Sequence, residues 1–225
     1  MFRPLSTPAH EISTVAIFVV IVTTAIFVIV SALLTYSVIR FRVRRHDDGS
    51  EPPQLYGSVP VEFAWTAAPV LIVFVLILTT ARSIYTVQAA RRPPGSVAVR
   101  VVGHQWWWEF QYPELGIVTA NELHVPLSDP RDPRPTFLEL TSADVANSFW
   151  VPPLAGKSDV IPNKTNVMWM DPQEAGTYLA QCAEYCGTQH ALMLLRVVVD
   201  PRESCSRSTG SSRTRTSSSP SSTTC

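Results

Sequence analysis

The chain has 225 residues, of which 46% are hydrophobic and only 16% charged, against ~25% charged in an ordinary soluble domain. That composition argues against a disordered chain and against a simple soluble enzyme. Eighteen basic residues balance eighteen acidic ones, so the basic excess that nucleic-acid binding needs is missing. Four cysteines are too few for a disulfide-dense scaffold.

Residues 12–39 carry no charged side chain, and neither do residues 63–81. A helix needs roughly 20 apolar residues to cross ~30 Å of hydrocarbon. Both runs reach that length, and neither has the polar face a soluble core helix keeps toward water. Two membrane spans are therefore expected. The first run exceeds the 7–15-residue apolar core of a cleaved signal peptide and is read as a retained span. Pro69 is expected in the first turns of the second span, where a missing N–H does least harm. Arg40, Arg42, Arg44 and Arg45 follow the first span, and such clusters face the cytoplasm. The connecting loop is then inside and both termini outside, with Arg91 and Arg92 a weaker signal in the opposite sense. Residues 49–60 are rich in Pro and Gly and read as an irregular turn.

Beyond the second span the pattern changes. Residues 97–102, 137–140, 166–169, 176–180 and 193–199 are rich in β-branched, aromatic and Leu side chains, separated by Pro and Asp/Asn/Gly clusters. Short strands so spaced imply a sandwich or barrel. The expected fold class is a hairpin of two N-terminal transmembrane helices followed by an all-β domain. The expected division is a membrane hairpin over 1–92, a β domain over 93–202, and a Ser/Thr-rich tail over 203–225 that cannot bury apolar area and is expected to be disordered. Cys205 and Cys225 lie in that tail, with no context to make them ligands.

The chemistry concentrates in Cys182-x3-Cys186-x3-His190-x2-Met193. Two thiols, an imidazole and a thioether within twelve residues are soft donors that select copper over hard ions. The spacing differs from the Cys-x2-Cys pairs usual for structural zinc. One cysteine with a histidine and the methionine would make a mononuclear blue-copper site, whereas two cysteines allow two thiolate bridges and a two-copper centre. The bland alternatives are a Cys182–Cys186 disulfide, a surface role for His190 and a core role for Met193.

At these residues the chain resembles subunit II of a bacterial haem-copper cytochrome c oxidase. Further segments carry the likeness: Gly103 to Trp108 (GHQWWW), Asp144 to Asn166 (DVANSFWVPPLAGKSDVIPNKTN), and Val61-Glu62 before Trp65-Thr66. The resemblance implies a cupredoxin domain holding a binuclear copper centre, CuA. Cys182 and Cys186 would bridge the coppers, His190 would be a terminal ligand and Met193 a weak one. Glu184 would offer its backbone carbonyl to copper and its carboxylate to a magnesium ion at the interface with subunit I. Electrons from cytochrome c would enter through Trp106. Glu62 would stand at the mouth of a proton channel, or simply be an acid favoured at a helix start. The implied partners are oxidase subunits I and III, a cytochrome c and the membrane. The implied location is the cell's inner or plasma membrane, with the copper domain extracytoplasmic.

The sequence departs from the family at Asn147, where a histidine copper ligand is expected. An amide oxygen is a harder and weaker donor, so an altered two-copper centre, a one-copper site and a degenerate copy all stay open. His104 and His124 have places of their own in the family and are not expected to substitute. Asn163 stands where the family commonly has Gly, a mild change because Asn tolerates a left-handed turn. Other classes weigh less. A quinol oxidase subunit II would lack the four donors, and nitrous oxide reductase would need a large catalytic domain. A copper chaperone would not need the tryptophan segment, and a purely structural subunit would bind no metal.

Overall fold

A computed structural model of the protein describes residues 3–42, 54, 56–88, 92 and 96–201. Arg44, Arg45, Arg91, half of the expected turn over 49–60, and the 203–225 tail with Cys205 and Cys225 lie outside the described residues. The chain divides into two compact units, residues 14–85, and residues 1–13 with 86–225.

The first unit is formed from two long helices, α1 (Thr7–Arg40) and α2 (Val59–Gln88). Both are long and apolar enough to cross a membrane, and their apolar windows are not buried by the rest of the chain. A soluble core helix would have buried them. Three threonine hydroxyls within them turn back onto their own helix, which suits an apolar solvent: Thr23 Oγ1 donates to Val19 O at 2.9 Å, Thr66 Oγ1 to Glu62 O at 2.9 Å and Thr79 Oγ1 to Val75 O at 2.7 Å. α2 starts earlier than its apolar run. Glu62 Oε1 accepts the Ser58 N–H at 3.2 Å, which satisfies an otherwise orphaned donor of the first turn. The expectation that Pro69 lies in the first turns is thereby corrected. Pro69 sits inside the helix and removes the hydrogen bond that the Trp65 carbonyl would have accepted.

The second unit is a β-sandwich. One sheet has the order β3-β2-β1-β5-β8 and the other β4-β10-β9-β6-β7. The strands are β1 (Ala98–His104), β2 (Trp107–Tyr112), β3 (Ile117–Ala120), β4 (Glu122–Pro126), β5 (Thr136–Ser142), β6 (Asn147–Trp150), β7 (Ser158–Val160), β8 (Asn166–Met170), β9 (Gly176–Cys182) and β10 (Leu194–Asp200). Strand periodicity decides the core. Trp108, Phe110 and Tyr112 alternate inward on β2, and Leu195, Val197 and Val199 on β10. Between the sheets Phe149 takes both Trp108 and Phe110 edge-on, with ring centroids 5.3 and 6.2 Å away. Burying a side chain of this size contributes about 2–3 kcal/mol. The N-terminus belongs to this unit: the Asp171 carboxylate accepts the Thr7 N–H at 2.7 Å and so caps the first turn of α1.

Candidate metal centre

The centre is set where three adjacent strands end. β6 lies beside β9 and β9 beside β10, with Phe149 opposite Cys182. Side chains two apart on a strand share a face. Asn147 therefore points inward with Phe149, Cys182 with Ala180, and Met193 in line with Leu195; all six are buried. The β9–β10 connection supplies Cys186 and His190, the latter opening a single 3-10 turn, His190–Leu192. A backbone bond from Cys182 N–H to Met193 O (3.1 Å) closes that connection.

The donors converge on the two sulfurs. Cys182 Sγ and Cys186 Sγ are 3.8 Å apart and unbonded. Cys186 Sγ is 3.6 Å from His190 Nδ1 and 3.7 Å from Met193 Sδ. Cys182 Sγ is 3.1 Å from the Glu184 carbonyl oxygen and 3.9 Å from Asn147 Oδ1. Cys182, Cys186 and His190 form the one group of three or more His, Cys, Asp or Glu donors close enough to hold an ion among the described residues. Burial, helped by the adjacent Cys182 thiol, pushes the Cys186 thiol up to about 11. The metal-free thiol is thus neutral at ordinary pH, and metal binding must release protons.

Sulfur, imidazole and carbonyl donors in a buried cluster fit copper. The sulfur separation does not count the metals. Two sulfurs at about 2.3 Å from one tetrahedral ion are about 3.8 Å apart, so the edge suits one copper or two.

The remaining expected residues have definite places. Trp106 is half-buried in the β1–β2 turn, and its Nε1 donates to Cys186 O at 3.2 Å. Glu184 is exposed, and its carboxylate lies outside the donor group. A magnesium site there would need ligands from another chain. Glu62 is exposed on α2 and engaged with Ser58. His104 stacks on Trp107 with centroids 4.2 Å apart and meets Glu109 at 3.2 Å. His124 has Asp200 at 2.9 Å on Nδ1 and Glu122 at 3.1 Å on Nε2. Neither histidine enters the cluster. Asn163 adopts the left-handed turn its residue type tolerates, with φ 59°.

Sequence reasoning missed two supporting residues and undervalued a third. Gln105 Nε2 also donates to Cys186 O, at 2.8 Å. Gly187 has φ +119°, and a Cβ there would lie 3.1 Å from Gln105 Nε2 and 3.2 Å from Trp106 Nε1. The tryptophan seat therefore requires a glycine. Asn147 is anchored: its Nδ2 donates to Val145 O at 2.9 Å and Ser142 Oγ at 3.3 Å. A carbonyl can only accept, so Oδ1 is left facing Cys182. Gln105 was read only as part of the tryptophan segment, whereas Gly187, next to Cys186, was a readable signal.

Comparisons with known proteins give the family. The family described as cytochrome c oxidase subunit II, transmembrane domain, matches residues 1–82, and that subunit's periplasmic domain matches residues 133–200. A cytochrome c oxidase subunit 2 of Alkalihalophilus pseudofirmus is 31% identical over 82% of this chain and 53% of its own length. One of Synechocystis is 30% identical over 84% of this chain and 68% of its own length. A quinol oxidase subunit 2 of Bacillus spizizenii is 30% identical over 72% of this chain and 50% of its own. The crystal structure of the periplasmic domain of subunit II of cytochrome oxidase from Bradyrhizobium japonicum matches with TM-score 0.47 and 25% identity, over 52% of this chain and 93% of that one. The chain spans about half the length of the first curated relatives it matches.

Proposed function

The chain belongs to the cytochrome c oxidase subunit II family, and from that premise we propose that it is the electron-accepting subunit of a haem-copper respiratory oxidase. It takes electrons from a cytochrome c at a binuclear copper centre and passes them to haem in subunit I, where O2 is reduced to water with proton translocation. The observation that supports this most is the buried meeting of Cys182, Cys186, His190 and Met193 beneath Trp106.

Copper bound there supplies one-electron exchange between two oxidation states. The chain's residues supply the rest. Cys182 and Cys186 would hold the metal as thiolates, with His190 a terminal donor, Met193 a weak one, and the Glu184 carbonyl in reach. Trp106, hydrogen-bonded to the backbone of a ligand cysteine, is the path from the donor's surface. Exposed Tyr185 and Leu192 on the same connection give a docking cytochrome an apolar rim. Glu62 serves either the mouth of a proton channel or the helix cap it forms here. The Glu184 carboxylate faces outward, available to magnesium at the contact with subunit I, and subunit III completes the complex. Two helices fit to cross a membrane, together with the transmembrane-domain match, make this a membrane protein with a periplasmic-type domain. We place it in the cell's inner or plasma membrane, with the Arg40-Arg42 side of the hairpin in the cytoplasm.

The likeness to a quinol oxidase subunit favours one competing reading, a copper-free subunit fed by quinol. Copper analysis of the purified complex, with stopped-flow reduction by cytochrome c, separates the two. Bound copper reduced by cytochrome c is expected, and Trp106→Phe slows that reduction with copper content unchanged. A copper-free complex reduced by quinol alone would sink the relay.

A further inference from the structure

The supply of imidazole limits the symmetry of the centre. Among the described residues His190 alone brings a ring nitrogen to the sulfurs. His104 is engaged by Glu109, and His124 by Glu122 and Asp200. The β6 side of the cluster is filled instead by Asn147, which is fully buried. Its amide cannot turn over without placing an oxygen against the Val145 carbonyl, which already accepts Nδ2 at 2.9 Å. Oδ1 is therefore held toward Cys182 Sγ, at 3.9 Å.

Bridging thiolates share charge most evenly between two metals when the strong terminal donors match. An amide oxygen is hard and suits the higher charge, whereas imidazole and thioether accommodate both oxidation states. Resting on the two-copper reading above, we propose that Asn147 Oδ1 is a copper-facing donor that makes the two metal positions unequal, so that the oxidised centre confines its unpaired electron to one copper. The oxygen-facing copper would hold the Cu(II) state and its neighbour the Cu(I) state, and one electron from the cytochrome c would reduce the first, with no proton and no bond exchanged. The chain keeps the relay's architecture but localises its charge.

The test uses the full chain in detergent, loaded with copper, with metal content by elemental analysis and an electron paramagnetic resonance spectrum. Two coppers per chain with the hyperfine pattern of a single copper nucleus are expected, and Asn147→His converts this to the pattern of two equivalent nuclei. The pattern of two equivalent nuclei in the unaltered chain overturns the inference and leaves the relay reading intact. One copper or none overturns both. Two coppers and an unchanged pattern in a folded Asn147→His variant would show that Asn147 is not the cause. Asn147→Leu, of the same branching without the oxygen, covers the case in which His cannot be accommodated. A shifted hyperfine coupling is expected there, and an unshifted one removes the oxygen from the copper's surroundings.

Discussion

Two regions of the β-sandwich each hold a histidine among close partners, and they treat it in opposite ways. At the seam between β4 and β10, both ring nitrogens of His124 meet carboxylates, from Glu122 and Asp200, and Arg196 in turn meets Glu122 at 2.8 Å. At the β9–β10 connection, His190 Nδ1 faces a thiol instead, and no carboxylate pairs with it among the described residues. The seam answers its own charges and polar groups, so it is a structural clasp between strands. The connection gathers deprotonatable donors with no cation of its own, which is the arrangement a metal completes. Residue type does not separate the two histidines; what surrounds them does.

The largest effect that would sharpen this contrast is on copper. Cys186→Ser should lower copper affinity by more than about 100-fold, beyond the 10–100-fold typical of losing an outer-sphere partner, whereas Asp200→Asn should leave copper content untouched. Competitive titration against a chelator measures both, and equal losses would erase the distinction. Next comes the seat of Trp106. Gly187→Ala places a side chain at φ +119° against Gln105 and Trp106. It should cost about 1–3 kcal/mol in stability and slow reduction by cytochrome c, read by denaturant unfolding and stopped-flow. A variant as stable and as fast as the parent would remove the glycine requirement.

The seam gives smaller effects, all on stability. Asp200→Asn should lower stability by about 1–2 kcal/mol through a weakened charge-assisted bond, seen as a lower Tm with the copper spectrum unchanged. Tyr112 ties β2 to β4 by accepting the His124 N–H at 2.7 Å and donating to His124 O at 3.0 Å. Tyr112→Phe should cost about 1 kcal/mol. Burial pushes this phenol up to about 12, from an ordinary value of 10.0. Its folded form is neutral where the unfolded chain ionises, so its stabilisation is complete below about pH 10 and declines as pH rises through 12. The parent should lose stability over that window and Tyr112→Phe should lose less. Parallel alkaline profiles would count against the assignment.

The hairpin and the strands differ in how far a linear reading reached. The apolar runs over 12–39 and 63–81 identified α1 and α2 because spanning a bilayer depends on composition and length alone. Their ends were harder: a Ser58–Glu62 contact starts α2 early enough to leave Pro69 inside the helix. The runs read as strands correspond to β1, β5, β8, β9 and β10. Strand β2 was read as a tryptophan segment, β3, β6 and β7 are too short to show a periodicity of two, and β4 alternates only Leu123 and Val125 with Glu122 and His124. At the centre, the donors Cys182, Cys186, His190 and Met193 were legible because twelve consecutive residues carry them.

By itself, then, the sequence determined two membrane-length helices, a β domain after them, and a soft-donor segment suited to copper, since apolar length and ligand chemistry are properties of neighbours in the chain. The tertiary structure decided which other groups meet that segment, of which the family resemblance had singled out only Asn147 and Trp106. Asn147 reaches Cys182 across 35 residues, and Gln105 reaches Cys186 across 81. His124 is withdrawn from the site by a partner 76 residues away. Contacts at such separations arise only when two sheets close on a common core, and no local pattern encodes them.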